Sequence, residues 1–227
     1  MLYENYEQVV ANVKKACERS GRNFQDITII AVSKTKPLSD VEELLSHGVM
    51  EFGENKVQEM VDKYEHVSKP VHWHLIGHLQ TNKVKYIVDK ACLIHSVDSV
   101  HLAKEIEKEA AKKGVVAKVL LEVNIAQEET KFGIREDEVF ALIDAIKDMP
   151  HVHVMGLAPF VENPEENRVY FRKMHQLSLD IKSKCIDNID MSVLSMGMTN
   201  DYEIAVEEGA TMIRVGTAIF GARNYNI

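Results

Sequence analysis

Eight short apolar runs punctuate this chain, and nearly every one is followed by a segment with helical spacing. That alternation constrains the fold most, because strand-then-helix units lay parallel strands side by side under a cover of helices. The runs fall at residues 27–32, 49–52, 71–76, 93–97, 116–123, 152–157, 191–194 and 212–215. The first, Ile27-Thr28-Ile29-Ile30-Ala31-Val32, is nearly continuous and reads as a strand buried on both faces. Between runs, Val139, Leu142, Ile143 and Ile146 recur at i, i+3, i+4 and i+7, and Phe171, Met174, Leu177 and Ile181 mark a longer helix. One more helix precedes the first strand, with Tyr6, Val9, Val10, Val13 and Cys17 on one face and Gly21 as its stop.

Eight such units without a linker-like or low-complexity stretch predict one domain over 1–227, an α/β (β/α)8 TIM barrel. The extra N-terminal helix is expected to cover the barrel wall, because little chain follows the eighth strand. A doubly wound open sheet is the alternative, but no GxGxxG follows the first strand. The 227 residues suit a single barrel. A net charge of −8 argues against nucleic acid as a partner. The three cysteines are scattered without a CxxC, as expected of reduced thiols in a cytoplasm. No basic leader with an apolar core opens the sequence, and no run approaches the length of a membrane span.

In such barrels the reactive face lies at the C-terminal ends of the strands, with phosphate often held after strands seven and eight. Here those loops read Ser195-Met196-Gly197-Met198-Thr199 and Gly216-Thr217-Ala218. Glycine lets backbone amides approach an anion, and a hydroxyl adds a donor. Ordinary strand-to-helix turns are the plainer reading. The first strand ends in Lys34 and Lys36, which share a face if the strand continues. They are either a solvated strand end or an amine held for Schiff-base chemistry. A reactive amine opposite a phosphate cradle points to a phosphorylated carbonyl compound, with pyridoxal phosphate foremost. Arg214, two residues before the loop glycine, suits a pyridine nitrogen, which it would keep unprotonated. Its alternative is a wall arginine paired with Glu203 or Glu207.

The segments AVSKTKP at 31–37, FGENKVQE at 52–59, WHLIGHLQTNK at 73–83, VNIAQEETKFGI at 123–134 and SMGMTNDYEIAVEEGATMIRVGTAIFGAR at 195–223 resemble those of the pyridoxal phosphate homeostasis proteins. These are relatives of the N-terminal barrel of alanine racemase. The resemblance implies pyridoxal 5'-phosphate held as an internal aldimine on Lys34. It implies phosphate contacts from Ser195, Gly216 and Thr217, with backbone groups near Met196 and Gly197. Arg214 would face the pyridine nitrogen, and Asn55 would line the cofactor, a helix N-cap being its plainer role. Lys36 and Lys131 match accessory lysines for cofactor entry or transfer. Three positions depart from the family pattern: Ala158 where methionine is common, Phe132 in place of a small residue, and Thr199 where serine is common.

The implied function is intracellular cofactor homeostasis, with pyridoxal phosphate held and buffered or delivered to apo-enzymes by a cytoplasmic monomer with little or no catalysis. A racemase is the alternative, although it needs two bases on opposite faces of the substrate carbon and the chain leaves no room for a second domain to supply one. A Schiff-base aldolase acting on a sugar phosphate is a third reading. His72, His74 and His78 form HxHxxxH, but no carboxylate or cysteine motif completes a metal set in the sequence, so no metal is expected. His151 and His153 read as structural or solvent-facing.

Overall fold

The computed structural model describes residues 1–126, 132–159 and 167–222. Helix α1 (Leu2–Ser20) buries Val9, Val13, Ala16 and Cys17 and stops at Gly21, whose φ of 67° suits a residue without a Cβ. The barrel follows: β1 (Thr28–Val32), α2 (Leu38–Ser46), β2 (Glu51–Glu54), α3 (Val57–His66), β3 (His72–Leu75), α4 (Val84–Ile87), β4 (Ala91–Val97), α5 (Val100–Lys113) and β5 (Ala117–Val123). Then come α6 (Val139–Ile146), β6 (Val152–Pro159), α7 (Asn167–Lys182), β7 (Ile189–Leu194), α8 (Tyr202–Glu207), β8 (Met212–Val215) and α9 (Thr217–Phe220). As expected, α1 packs across α8 and α9, over the part of the wall that the short α9 leaves open. Among the described residues no helix is long and apolar enough to cross a membrane.

All strand pairs are parallel, in the order β7-β6-β5-β4-β3-β2-β1-β8. The two edges meet just beyond β7. Thr211 N–H donates to Leu194 O at 2.9 Å, Met196 N–H to Met212 O at 3.0 Å and Arg214 N–H to Gly197 O at 3.0 Å. This seam closes the sheet and stands residues 195–197 beside Arg214.

Strand β2 sits later than expected. Val49 does not start it, because its N–H donates to Leu44 O and closes α2. The strand runs on through Gly53 and Glu54, whose carbonyls accept from Ser33 and Ile76. The main core lies between sheet and helices. A smaller cluster of Leu93, Leu120, Ala158 and Val193 fills the barrel, with Met212 packed against it. Two residues further along their strands, on the same inward face, come His95, Glu122, Ser195 and Arg214. Packing the barrel thus fixes the layer of polar groups above it.

Candidate functional site

A cavity of about 310 Å³ opens at the C-terminal ends of the strands. Lys34, Asn55, Arg214, Gly216 and Thr217, five of the residues singled out from sequence, line it. Lys34 follows β1 on a turn, not in the strand, and Thr35 takes the left-handed φ of 63°. A non-glycine residue holds that conformation only when its surroundings impose it. Here Thr35 N–H donates to Glu59 Oε1 at 2.6 Å, and buried Lys63 donates to Glu59 Oε1 (2.9 Å), Glu54 Oε1 (2.7 Å) and Ser33 O (2.8 Å). Both neighbours of Lys34 are therefore anchored to one buried cluster. Burial pushes the Glu54 carboxyl up to about 6, with the Lys63 ammonium opposing it.

The turn also separates the two lysines, correcting the expectation that they share a face. Lys36 Nζ donates to Phe220 O at 2.8 Å and Ala222 O at 3.3 Å, at the end of α9. Lys131 lies outside the described residues. Asn55 does not cap α3, whose N-cap is Lys56 without a side-chain bond. Its carbonyl instead packs so close to Gly77 that a Cβ there would lie 2.3 Å away. Phe132 is exposed and stacks on His78 with centroids 4.0 Å apart.

The hydroxyl expected to touch phosphate is displaced. Ser195 is fully buried, and its Oγ accepts from Arg214 Nη1 at 2.7 Å and lies 3.0 Å from His95 Nδ1. Its amide donates to Leu157 O, and that of Met196 to Met212 O. The barrel ladder consumes these amides, so neither can serve an anion in the cavity. Met198, Thr199 and Asn200 line the cavity in their place. Gly197, at φ 94°, makes the turn into that segment, where a Cβ would come within 2.5 Å of Ala205 Cβ. Asp201 secures it by accepting from Met198 N–H at 2.6 Å and from Asn167 Nδ2. Thr199 Oγ1 accepts from Ala218 N–H at 3.3 Å, tying the seventh loop to the eighth.

Among the described residues no carboxylate is in hydrogen-bond contact with Arg214. Its guanidinium donates to Ser195 O, Ser195 Oγ and Pro159 O. Glu203 and Glu207, the alternative partners, bind Arg19 on the outside, and Glu207 also binds Arg168. Burial lowers the Arg214 pKa, while the nearby charges of Glu122 and Asp201 oppose that shift. Glu122 was not foreseen. Burial and then Asp98 push its carboxyl up to about 7 against the pull of Arg214, and among the described residues its Oε2 has no hydrogen-bond partner.

Behind Ser195 a line of polar groups, buried at His95 and His74, runs through the barrel to its other end. His95 Nε2 lies 2.9 Å from His74 Nδ1, His74 Nε2 is 2.7 Å from Glu51 Oε2, and Glu51 Oε1 is 2.6 Å from His72 Nδ1. Burial, with His74 and Arg214 adding to it, holds His95 well below its ordinary pKa, so it is neutral. Strand adjacency makes this line, and sequence spacing does not reveal it. His151 is structural, with Nδ1 2.7 Å from Glu107 Oε1.

The family described as alanine racemase, N-terminal domain, matches residues 5–224. The pyridoxal phosphate homeostasis protein of Aquifex aeolicus is 43% identical over 226 residues, 98% of either chain. Two solved structures are also similar. An unknown protein from Bifidobacterium adolescentis superposes with a TM-score of 0.91 at 30% identity, over 96% of this chain and 94% of that one. PipY of Synechococcus elongatus, with PLP bound, superposes with a TM-score of 0.81 at 29% identity, over 92% of this chain and 100% of that one. The chain belongs to the alanine racemase N-terminal domain family and, within it, to the pyridoxal phosphate homeostasis proteins.

Proposed function

We propose that this chain binds pyridoxal 5'-phosphate in the cavity and serves its homeostasis, retaining and releasing the cofactor with little or no catalysis. The observation that carries this reading is the convergence on one cavity of Lys34, Arg214 and the hydroxyl-bearing loops at Thr199 and Gly216-Thr217. A volume near 310 Å³ lies at the small end of ligand sites and suits a compact phosphorylated ring. When bound, the cofactor supplies an aldehyde able to condense with an amine. Lys34 is the amine the site offers, on a turn whose flanks cannot drift. Thr199, Gly216 and Thr217 line the cavity, and we assign the phosphate to them. Arg214 would be the donor toward a ring nitrogen, which such a contact would favour in its unprotonated form.

The remaining groups favour holding over turnover. His95 is neutral, and Asp201 is occupied by Met198 and Asn167. Among the described residues lining the cavity there is no tyrosine, and the carboxyls are Glu122 and the already hydrogen-bonded Asp201. A racemase needs two bases across the substrate carbon. We extend the reading to a cytoplasmic monomer that supplies apo-enzymes, with Lys36 and Lys131 as accessory lysines.

The test is borohydride reduction of the loaded protein, then peptide mapping. The expected result is cofactor mass on the Lys34 peptide, absent in Lys34→Ala. Modification elsewhere at full loading would refute the assignment. Steady racemisation of a free amino acid at enzyme-like turnover would refute the homeostasis role.

A further inference from the structure

At the opposite, N-terminal mouth of the barrel, donors from three adjacent strands converge. Glu51 opens β2, His74 lies in β3 and Cys92 lies near the start of β4. One Glu51 carboxylate oxygen, one His74 ring nitrogen and Cys92 Sγ all lie within 4.8 Å of one another, and His74 Nε2 is the nitrogen that faces Glu51, 2.7 Å from its Oε2. His72 Nδ1 stands 2.6 Å from the other Glu51 oxygen as an available fourth donor. HxH alone is an incomplete metal motif; parallel strand pairing supplies the carboxylate and thiol that the linear sequence keeps apart.

We propose that Glu51, His74 and Cys92, with His72 as the outer ligand, form a binding site for a divalent cation of the zinc class. The donor set of nitrogen, sulfur and carboxylate oxygen is the one zinc takes, and hard cations such as magnesium avoid thiol. Tetrahedral zinc ligands stand roughly 3.3–3.8 Å apart, so only small side-chain adjustments are required. The ligands sit on strands, which gives the site a rigid base. His74 has the supporting partner that metal-bound histidines use, because His95 Nε2 lies 2.9 Å from its Nδ1. Its ring proton then sits on Nδ1 against His95, and the Nε2 lone pair is free for the cation.

Binding replaces the Glu51–His74 hydrogen bond by two bonds to metal, and the Cys92 thiol proton leaves to solvent. Taking up the metal on a thiol ligand therefore releases one proton. The site lies at the mouth opposite the cofactor cavity and does not depend on the cofactor reading.

The test is titration of chelator-treated protein with cobalt(II) as a spectroscopic probe, followed by competition with zinc. One equivalent should give a thiolate-to-cobalt charge-transfer band that zinc abolishes. Cys92→Ser should lose the band with an unchanged melting temperature, Cys185→Ser should keep it, and Glu51→Gln should weaken binding by about 10-fold or more. Absence of the band in the parent protein, or its persistence in Cys92→Ser, would overturn the proposal. So would an unaltered affinity in Glu51→Gln.

Discussion

Two hydroxyls in one loop divide the work of the site. Ser195 faces down to the guanidinium of Arg214, and Thr199 reaches the cavity. Replacing Thr199 by alanine should therefore raise the dissociation constant for the cofactor roughly 10-fold, since a hydrogen bond to a charged group contributes about 1.5–3 kcal/mol. Ser195→Ala should leave that constant within about twofold and instead lower folding stability by about 1–2 kcal/mol, by stripping a buried donor of its acceptor. Equilibrium titration and denaturant unfolding separate the two. Glu122 gives a second residue-scale prediction. Its pKa rises from 4.5 to about 7 on folding, so the folded state favours the protonated form. Stability from this group is intact below pH 4.5 and is lost as pH climbs through 7. Glu122→Gln should match the parent at pH near 4.5 and melt at a higher temperature at pH above 8. Equal melting at the higher pH would count against a buried carboxyl there. The sequence hid Glu122 because one carboxylate ending an apolar run reads as an exposed strand end.

Among elements, the turn after β1 depends on a helix it never touches in sequence. Lys63 of α3 binds Ser33 O, Glu54 and Glu59, and Glu59 binds Thr35 N–H. Lys63→Met would leave two carboxylates without their cation and should destabilise the fold by about 3–5 kcal/mol. Glu59→Gln keeps the shape and should preserve folding while slowing modification of Lys34 by an aldehyde probe several-fold. An unchanged rate would show that the turn holds itself. The strands were legible because parallel strands under helices must be apolar on both faces, and β8 matches the run at 212–215. Less legible was the junction after β7. Ser195 and Met196 look like a phosphate loop, yet their amides serve the closing ladder. Which amides a closed barrel uses is a property of strand pairing, and no single segment encodes it. Lys34 and Lys36 diverge for a similar reason, because the alternation of a strand ceases at a turn that Glu59 enforces from elsewhere.

For the whole molecule, the line from Arg214 through Ser195, His95 and His74 to Glu51 joins the two mouths of the barrel. Each imidazole in it is flanked on both nitrogens. If Glu51 accepts a proton from His74 Nε2, then His74 Nδ1 accepts from His95, His95 Nδ1 accepts from the serine hydroxyl, and Arg214 donates to the serine oxygen. Every link then points the same way, like a row of turnstiles. Fixing a cation on His74 Nε2 moves the ring proton to Nδ1 and forces the adjoining ring to turn over as well. Nitrogen chemical shifts should accordingly report a change of tautomer in both His74 and His95 when a cation binds at Glu51 and His74, and a change in one ring alone would show that the two rings are not coupled. What happens to a proton on the floor of the barrel is thereby communicated to the guanidinium beneath its opposite mouth, with no backbone displacement required.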